Sequence, residues 1–346
     1  MELIRDWFRH HFDNPQVIGL AVVLLIGLGV FILLGGMLAP MIAALVLAYL
    51  LEGVVRGLQR LAVPRIVAVV LVFLVFSLGL LLVFFALIPM LIRQVMQLVD
   101  ELPKILNASQ DLLMQLPMNY PQLFTDEQIM DLIASIRREA LNISQILITS
   151  LSFQSVILVL TLLVYLVLLP FLVFFFLKDK TLLVGWLNGY LPRDRALLVT
   201  IWRDVDRQIG NYVRGKFVEI LIVWAVTYIT FSFLGLSYAM LLSLVVGLSV
   251  IIPYIGAAVV TLPVGVIAYF QFGFGSGFVW VMVAYGIIQA LDGNVLVPVL
   301  FSEVVNLHPV AIIAAILVFG GVWGFWGVFF AIPLATVIQA TLKAWP

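Results

Sequence analysis

Residues 238–272 read YAMLLSLVVGLSVIIPYIGAAVVTLPVGVIAYFQF, an apolar run without a formal charge. A helix needs about 20 residues to cross a bilayer. This run is too long for one crossing, and Pro253, Tyr254 and Gly256 break it after a first piece of only 15 residues, 238–252. Apolar pieces near that length tend to enter a membrane and turn back rather than cross it. The design recurs further along. Residues 308–321 form a 14-residue apolar piece that runs into a glycine-aromatic turn holding Gly320, Gly321 and Gly324. The helix after that turn carries Pro333, as the helix after the first turn carries Pro263. A long apolar helix precedes each hairpin, at 217–235 and at 278–300. The last part of the chain therefore reads as two half-repeats, 217–272 and 278–343. Re-entrant hairpins would give the halves opposite orientation, the first entering from outside and the second from inside. If all six pieces crossed instead, the C-terminus would end on the same side, so charge counting does not separate the two. The short lengths favour hairpins.

Composition agrees with a bilayer as solvent. Of 346 residues, 64% are apolar and 10% are charged. Soluble proteins average about 45–50% apolar and about 25% charged. Too little polar surface is present to cover soluble cores, which excludes a soluble globular protein, a disordered chain and a nucleic-acid binder. The chain has no cysteine, so disulfides, thiolate metal sites and cysteine nucleophiles are excluded. The expected fold is an all-α polytopic membrane protein of about eight membrane segments, two of them re-entrant helical hairpins. An amphipathic helical insert outside the membrane completes it.

Working back towards the N-terminus, residues 14–51 hold no charge, and Gly35, Gly36 and Pro40 divide them into two helices, about 16–34 and 38–51. The basic start of the chain resembles a signal peptide, but the apolar run behind it is too long for one and reads as a retained anchor. A third span covers 66–92, ending near Pro89, and residues 1–92 form an anchor unit. Residues 93–153 carry four basic and seven acidic side chains and apolar positions at helical spacing, which predicts an acidic periplasmic insert. A fourth span follows at 155–177. Residues 178–216 hold eight basic and four acidic side chains, with Leu198, Trp202, Val205, Ile209 and Tyr212 forming one apolar seam. Spans and loops then place 13 basic residues inside and four outside before Lys343 is assigned, with both termini cytoplasmic.

Across residues 220–346 only Asp292, Glu303 and Lys343 are formally charged. A carboxylate at membrane depth is costly and tends to face a cavity or a partner. Gln289, Asp292, Gly293 and Asn294, followed by Pro298, therefore form the leading candidate for a transport or coupling site. A broken helix there would expose carbonyls beside the carboxylate, as coupling-ion sites do. The plainer reading is a structural carboxylate held by Asn294. Pro253, Tyr254, Gly256, Pro263, Gly320, Gly321, Gly324 and Pro333 are candidate turn or gating residues. Glu219, Glu303 and His308 are secondary candidates. For Glu219 the simpler role is an ion pair with Lys216, three residues earlier. No catalytic constellation, metal site or cofactor motif is expected.

The runs IIPYIGAAVVTLP (251–263), QALDGNVLVPVLFSEVVNLHP (289–309) and GGVWGFWGVFFAIPLATVI (320–338) resemble the signatures of the AI-2E transporter family. The resemblance extends along essentially the whole chain. It implies a bacterial inner-membrane permease, with autoinducer-2 export or sodium/proton antiport as activities assigned within the family, and a homopentameric assembly. Three functions stand as expectations: a proton- or ion-coupled secondary transporter of a small polar solute, a passive channel or facilitator, and a membrane scaffold. The expected partners are the lipid bilayer, a small-molecule or ion substrate and further copies of the chain.

Overall fold

The structure, a computed structural model, describes residues 38–115, 125–151, 156–190, 196–253, 255–301 and 308–344, together with residues 29 and 117. All but one residue of the expected first span, and all of Tyr254 and Glu303, lie outside the described residues. Among the described residues every element is helical, and seven helices are long and apolar enough to cross a membrane.

Helices α1 (Ala39–Arg60), α2 (Arg65–Leu82) and α5 (Val156–Lys178) pack into one bundle. Ala44, Ala48 and Ala68 are buried where they meet, beside Val55, Val69 and Val173. Lipid tails are as apolar as leucine, so helices in a bilayer associate where small residues let backbones approach. Glu52 seals one end of the bundle. It is 6% exposed and receives Arg56 at 3.4 Å, Arg65 at 3.3 Å and, from the start of α6 (Lys180–Tyr190), Lys180 at 3.0 Å. Arg65 also donates to the carbonyl of Leu177, tying α2 to the end of α5. Glu52→Gln is expected to cost about 1.5–3 kcal/mol, the range for hydrogen bonds to a charged group. A lowered melting temperature of the detergent-solubilised protein, reversed by neither salt nor added lipid, is the measure.

The third span does not stop at Pro89. A π-turn, Val83–Leu87, joins α2 directly to α3 (Ile88–Leu113), and Arg65–Asp111 counts as one helix of 47 residues. Such a helix is about 70 Å long, more than twice the hydrocarbon thickness. The expected stop fails for a local reason. A proline ring clashes with the carbonyl four residues back in an α-turn, and for Pro89 that carbonyl lies within the wider π-turn. Helix α4 (Asp126–Leu151) packs beside α3, and Arg137 Nη2 donates to Asn107 Oδ1 at 2.7 Å across the pair.

Helix α7 (Ala196–Phe233) is 38 residues long and merges the expected amphipathic helix with the fifth span. It is the hub of the C-terminal half and packs against α8 (Ala239–Ser249), α10 (Ser276–Leu291), α11 (Val297–Phe301), α13 (Ala331–Ala344) and α1. Gly247 lets α8 approach α7 closely. A Cβ there would stand 2.7 Å from Trp224 Cβ on α7.

Both halves contain a helical hairpin. In the first, α8 ends in a turn at residues 250–253 ahead of α9 (Ile255–Phe272), and a Cβ on Gly256 would overlap the backbone carbonyl of Ser249. In the second, α12 (Pro309–Phe329) reverses at Gly324, whose φ of 57° and ψ of −132° only glycine adopts readily. A Cβ on Gly327 would overlap the carbonyl of Phe319 in the same manner. From the start of each helix to this crossing point the first arm is eleven residues, Ala239–Ser249 and Pro309–Phe319. At 1.5 Å per residue such an arm is about 17 Å long, roughly half the hydrocarbon core. The base of the first hairpin is stitched by Gln271, which accepts from Ser237 N and donates to Gly235 O, each at 2.7 Å. Gln94 of α3 accepts from Leu241 N at 2.9 Å and so caps a free amide at the start of α8.

Candidate functional site

The expected break at Asp292 takes a different form. Asp292–Leu296 is a π-turn inside an otherwise continuous helical unit, Ser276–Phe301. A π-turn keeps the helix intact while shifting its hydrogen-bond register, a device concentrated at functional sites. It does not gather the four expected residues. Gln289 donates to the Tyr285 hydroxyl at 3.0 Å, and that hydroxyl donates to the carbonyl of Ala257, linking α10 to α9. Asn294 donates to Ala290 O in its own helix, so it does not hold Asp292. Gly293 faces open space. Asp292 alone turns inward, its Oδ1 buried without a hydrogen-bond partner.

What Asp292 faces is α7. Lys216 and Glu219 are 3% and 1% exposed, and their charged groups stand 2.7 Å apart, the i, i+3 pair. Lys216 Nζ donates to the carbonyl of Val250 at 2.8 Å, in the turn of the first hairpin. It also sits 5.1 Å from the ring centre of Phe301 at the end of α11. Asp292 lies within electrostatic range of both Lys216 and Glu219. One ammonium thus links the central helix, the first hairpin tip and the helix after the π-turn. The cluster holds one cation and two carboxylates, and the buried Lys216–Glu219 pair lies away from water, where an unpaired charge is very costly.

Further polar atoms on α7 are buried without a partner. They are the Tyr212 hydroxyl, Trp224 Nε1 and Thr227 Oγ1. With Glu219 they extend along the helix on both sides of the charge cluster. Buried polar groups are almost always paired, so an unpaired set marks a place for a water or a polar ligand.

The profile of the AI-2E family transporters matches residues 20–346 of this sequence. The chain belongs to the AI-2E family. PerM of Escherichia coli (strain K12), which carries the name of a candidate permease, is 46% identical over the whole of this chain and 98% of its own length. YueF and YrrI of Bacillus subtilis (strain 168), named as candidate transport proteins, are each 27% identical. The alignments cover 95% and 88% of this chain and 92% and 85% of theirs. The protein is therefore a multi-pass membrane protein of a transporter family.

The remaining candidates divide between packing and capping. Gly256 and Gly320 lie at close contacts of the hairpin tips, whereas Gly321 has open space around it. Pro253 accepts from Ile255 N within the first turn. Pro263 lies inside α9, and the Pro333 carbonyl accepts from Thr336 Oγ1 at 2.7 Å near the start of α13. His308 Nδ1 accepts from Val310 N and so caps α12. Among the described residues, no three acidic or histidine side chains gather into a metal-binding group. Sequence reasoning treated Lys216 only as a partner for Glu219. The signal for more was present: a lysine entering an apolar helix, with Gly215 before it. A Cβ on Gly215 would stand 2.9 Å from the Phe301 ring, so glycine there brings α11 close to the ammonium.

Proposed function

We propose that the protein is a secondary transporter of a small polar solute, coupled to protons through Asp292, Glu219 and Lys216. The observation that carries this reading is the ammonium of Lys216, shared between the Glu219 carboxylate and the Val250 carbonyl at the hairpin tip. Two carboxylates compete for one cation. A proton on either changes what the ammonium must neutralise, and hence how firmly the first hairpin is held to α7. Binding of solute and proton at one cluster is the physical basis of coupling. In this reading the two hairpins enter the bilayer from opposite sides as halves of an inverted repeat, the arrangement of repeat-built transporters, and the cluster holds the tip of the first. The basic ends of α1, α6 and α7 face the cytoplasm of a bacterial inner membrane, and the α3–α4 hairpin faces outward. Assembly as a homopentamer follows the family resemblance.

The test uses proteoliposomes loaded with a pH-sensitive dye and challenged with a panel of small polyols, sugars and sodium. At least one member should drive a proton movement that Asp292→Asn reduces by tenfold or more, with the variant still folded and monodisperse. Solute flux indifferent to a pH gradient, or normal coupled transport by Asp292→Asn, would replace this reading with a passive facilitator.

A further inference from the structure

Upstream of the buried cluster, α1 and α7 leave between them a cleft of about 260 Å³, lined by Tyr49, Glu52, Arg56, Asp206, Arg207 and Arg214. Its charges do not balance. Glu52 is already shared by Arg56, Arg65 and Lys180. Asp206 Oδ1 accepts from the Tyr49 hydroxyl at 3.2 Å. Among the described residues, neither Arg207 nor Arg214 comes within ion-pair distance of a carboxylate. Among the described residues Arg214 donates only to Asn211 Oδ1, at 3.2 Å, and it stands 5.8 Å from the ring centre of Tyr49. Five cations thus meet two carboxylates in and around the cleft.

The backbone is shaped for this meeting. A Cβ on Gly210 would overlap the Tyr49 hydroxyl and stand 3.1 Å from Arg214 Nη2. Glycine at 210 is what lets the tyrosine and the guanidinium reach into the cleft together. The cleft also has a defined level. Arg56 is in the last turns of α1, and Asp206 and Arg207 lie on α7 ahead of its charge-free stretch 220–233. On both helices the charges end where an uncharged run begins, the level at which lipid phosphates lie and basic pockets between helices take anionic headgroups.

We propose that this cleft is a binding site for a phosphate-type oxyanion, with Arg207 and Arg214 as its donors. A guanidinium presents paired N–H groups that match two oxygens of a phosphate, which a lysine does not. An anionic lipid headgroup and a free phosphate offer the same chemistry, and the experiment distinguishes them. It stands independently of the transport reading, because none of these residues belongs to the buried cluster.

The full-length protein in detergent is titrated with phosphatidylglycerol, with phosphatidylcholine and with inorganic phosphate. Melting temperature and the number of lipids retained in native mass spectrometry are followed. The wild type should be stabilised by phosphatidylglycerol over phosphatidylcholine, and Arg207→Gln and Arg214→Gln should each weaken that binding about tenfold, the loss of one charge-assisted contact. Arg60→Gln, also basic but outside the cleft, should bind as the wild type does. Stabilisation by inorganic phosphate with the same dependence on Arg207 would assign the site to a free oxyanion. Equal responses to both lipids with none to phosphate, or unaltered binding by Arg207→Gln, would overturn the proposal. Arg207 has no side-chain partner among the described residues to lose, so its variant decides the matter if Arg214→Gln does not fold.

Discussion

Lys216→Met should be the most damaging single substitution in the protein. Among the described residues it removes the only cation within ion-pair distance of Glu219 and the only side-chain donor to the Val250 carbonyl. Breaking a buried pair from one side typically costs about 3–5 kcal/mol, because the remaining charge stays away from water without compensation. The expected result is a melting temperature lowered by several degrees and no measurable transport. The double variant Lys216→Met, Glu219→Gln separates stability from function. Replacing both ends of a buried pair with uncharged groups of similar shape is often neutral, so the double variant should regain most of the lost stability. Transport should stay absent, because the cation that answers to Asp292 is gone. Recovery of transport along with stability would show the pair to be structural only. A single variant as stable as the wild type would mean that water reaches the pair and that its burial has no energetic consequence.

Why this cluster was only half legible follows from what a sequence encodes locally. Apolar runs report their breaks locally, so the short helix before Pro253 and the kink in the glycine-aromatic turn at Gly324 were readable from length and from their glycines and prolines. Asp292 was readable because a carboxylate amid apolar neighbours is conspicuous. Lys216 was not, since it closes a basic stretch of eight cations and looks like the last of them. Its burial depends on α7 running without a break from Ala196 to Phe233 and on a carbonyl 34 residues away. Both are tertiary facts. Glu52 shows the same limit, for its three cations come from α1, α2 and α6 and share no local pattern. The π-turn at Val83–Leu87 was read as the end of a span, and that at Asp292–Leu296 as a broken helix, for a related reason. Proline and glycine signal that an ordinary α-turn will not fit, and they do not say whether the helix stops or widens.

The resemblance between the two halves leads to the second large effect. Gly256→Ala and Gly327→Ala each place a methyl group on a backbone carbonyl, that of Ser249 in one hairpin and of Phe319 in the other. A side chain could rotate away, but a helix carbonyl moves only if its arm moves. Overpacking costs typically about 1–3 kcal/mol where side chains yield, so each substitution should cost about 3 kcal/mol and open its hairpin at the tip. Neither glycine has a positive φ, so the cost arises from close approach alone. Gly286→Ala is the matched control. It lies within α10 with nothing near its Cβ position, and exchanging glycine for alanine in a helix gains about 1 kcal/mol. Thermal unfolding of the three variants in detergent measures the contrast, and flux in proteoliposomes measures the consequence. Opening the first hairpin shifts Val250 away from Lys216, so Gly256→Ala should also disturb proton coupling. Gly327→Ala lies in the other hairpin and should leave the Lys216–Val250 contact in place while still impairing flux. Losses of similar size in both variants would mark the two crossings as equivalent parts of one repeated design. A severe loss for one and none for the other would reduce the likeness of the halves to chance similarity between glycine-bearing membrane segments.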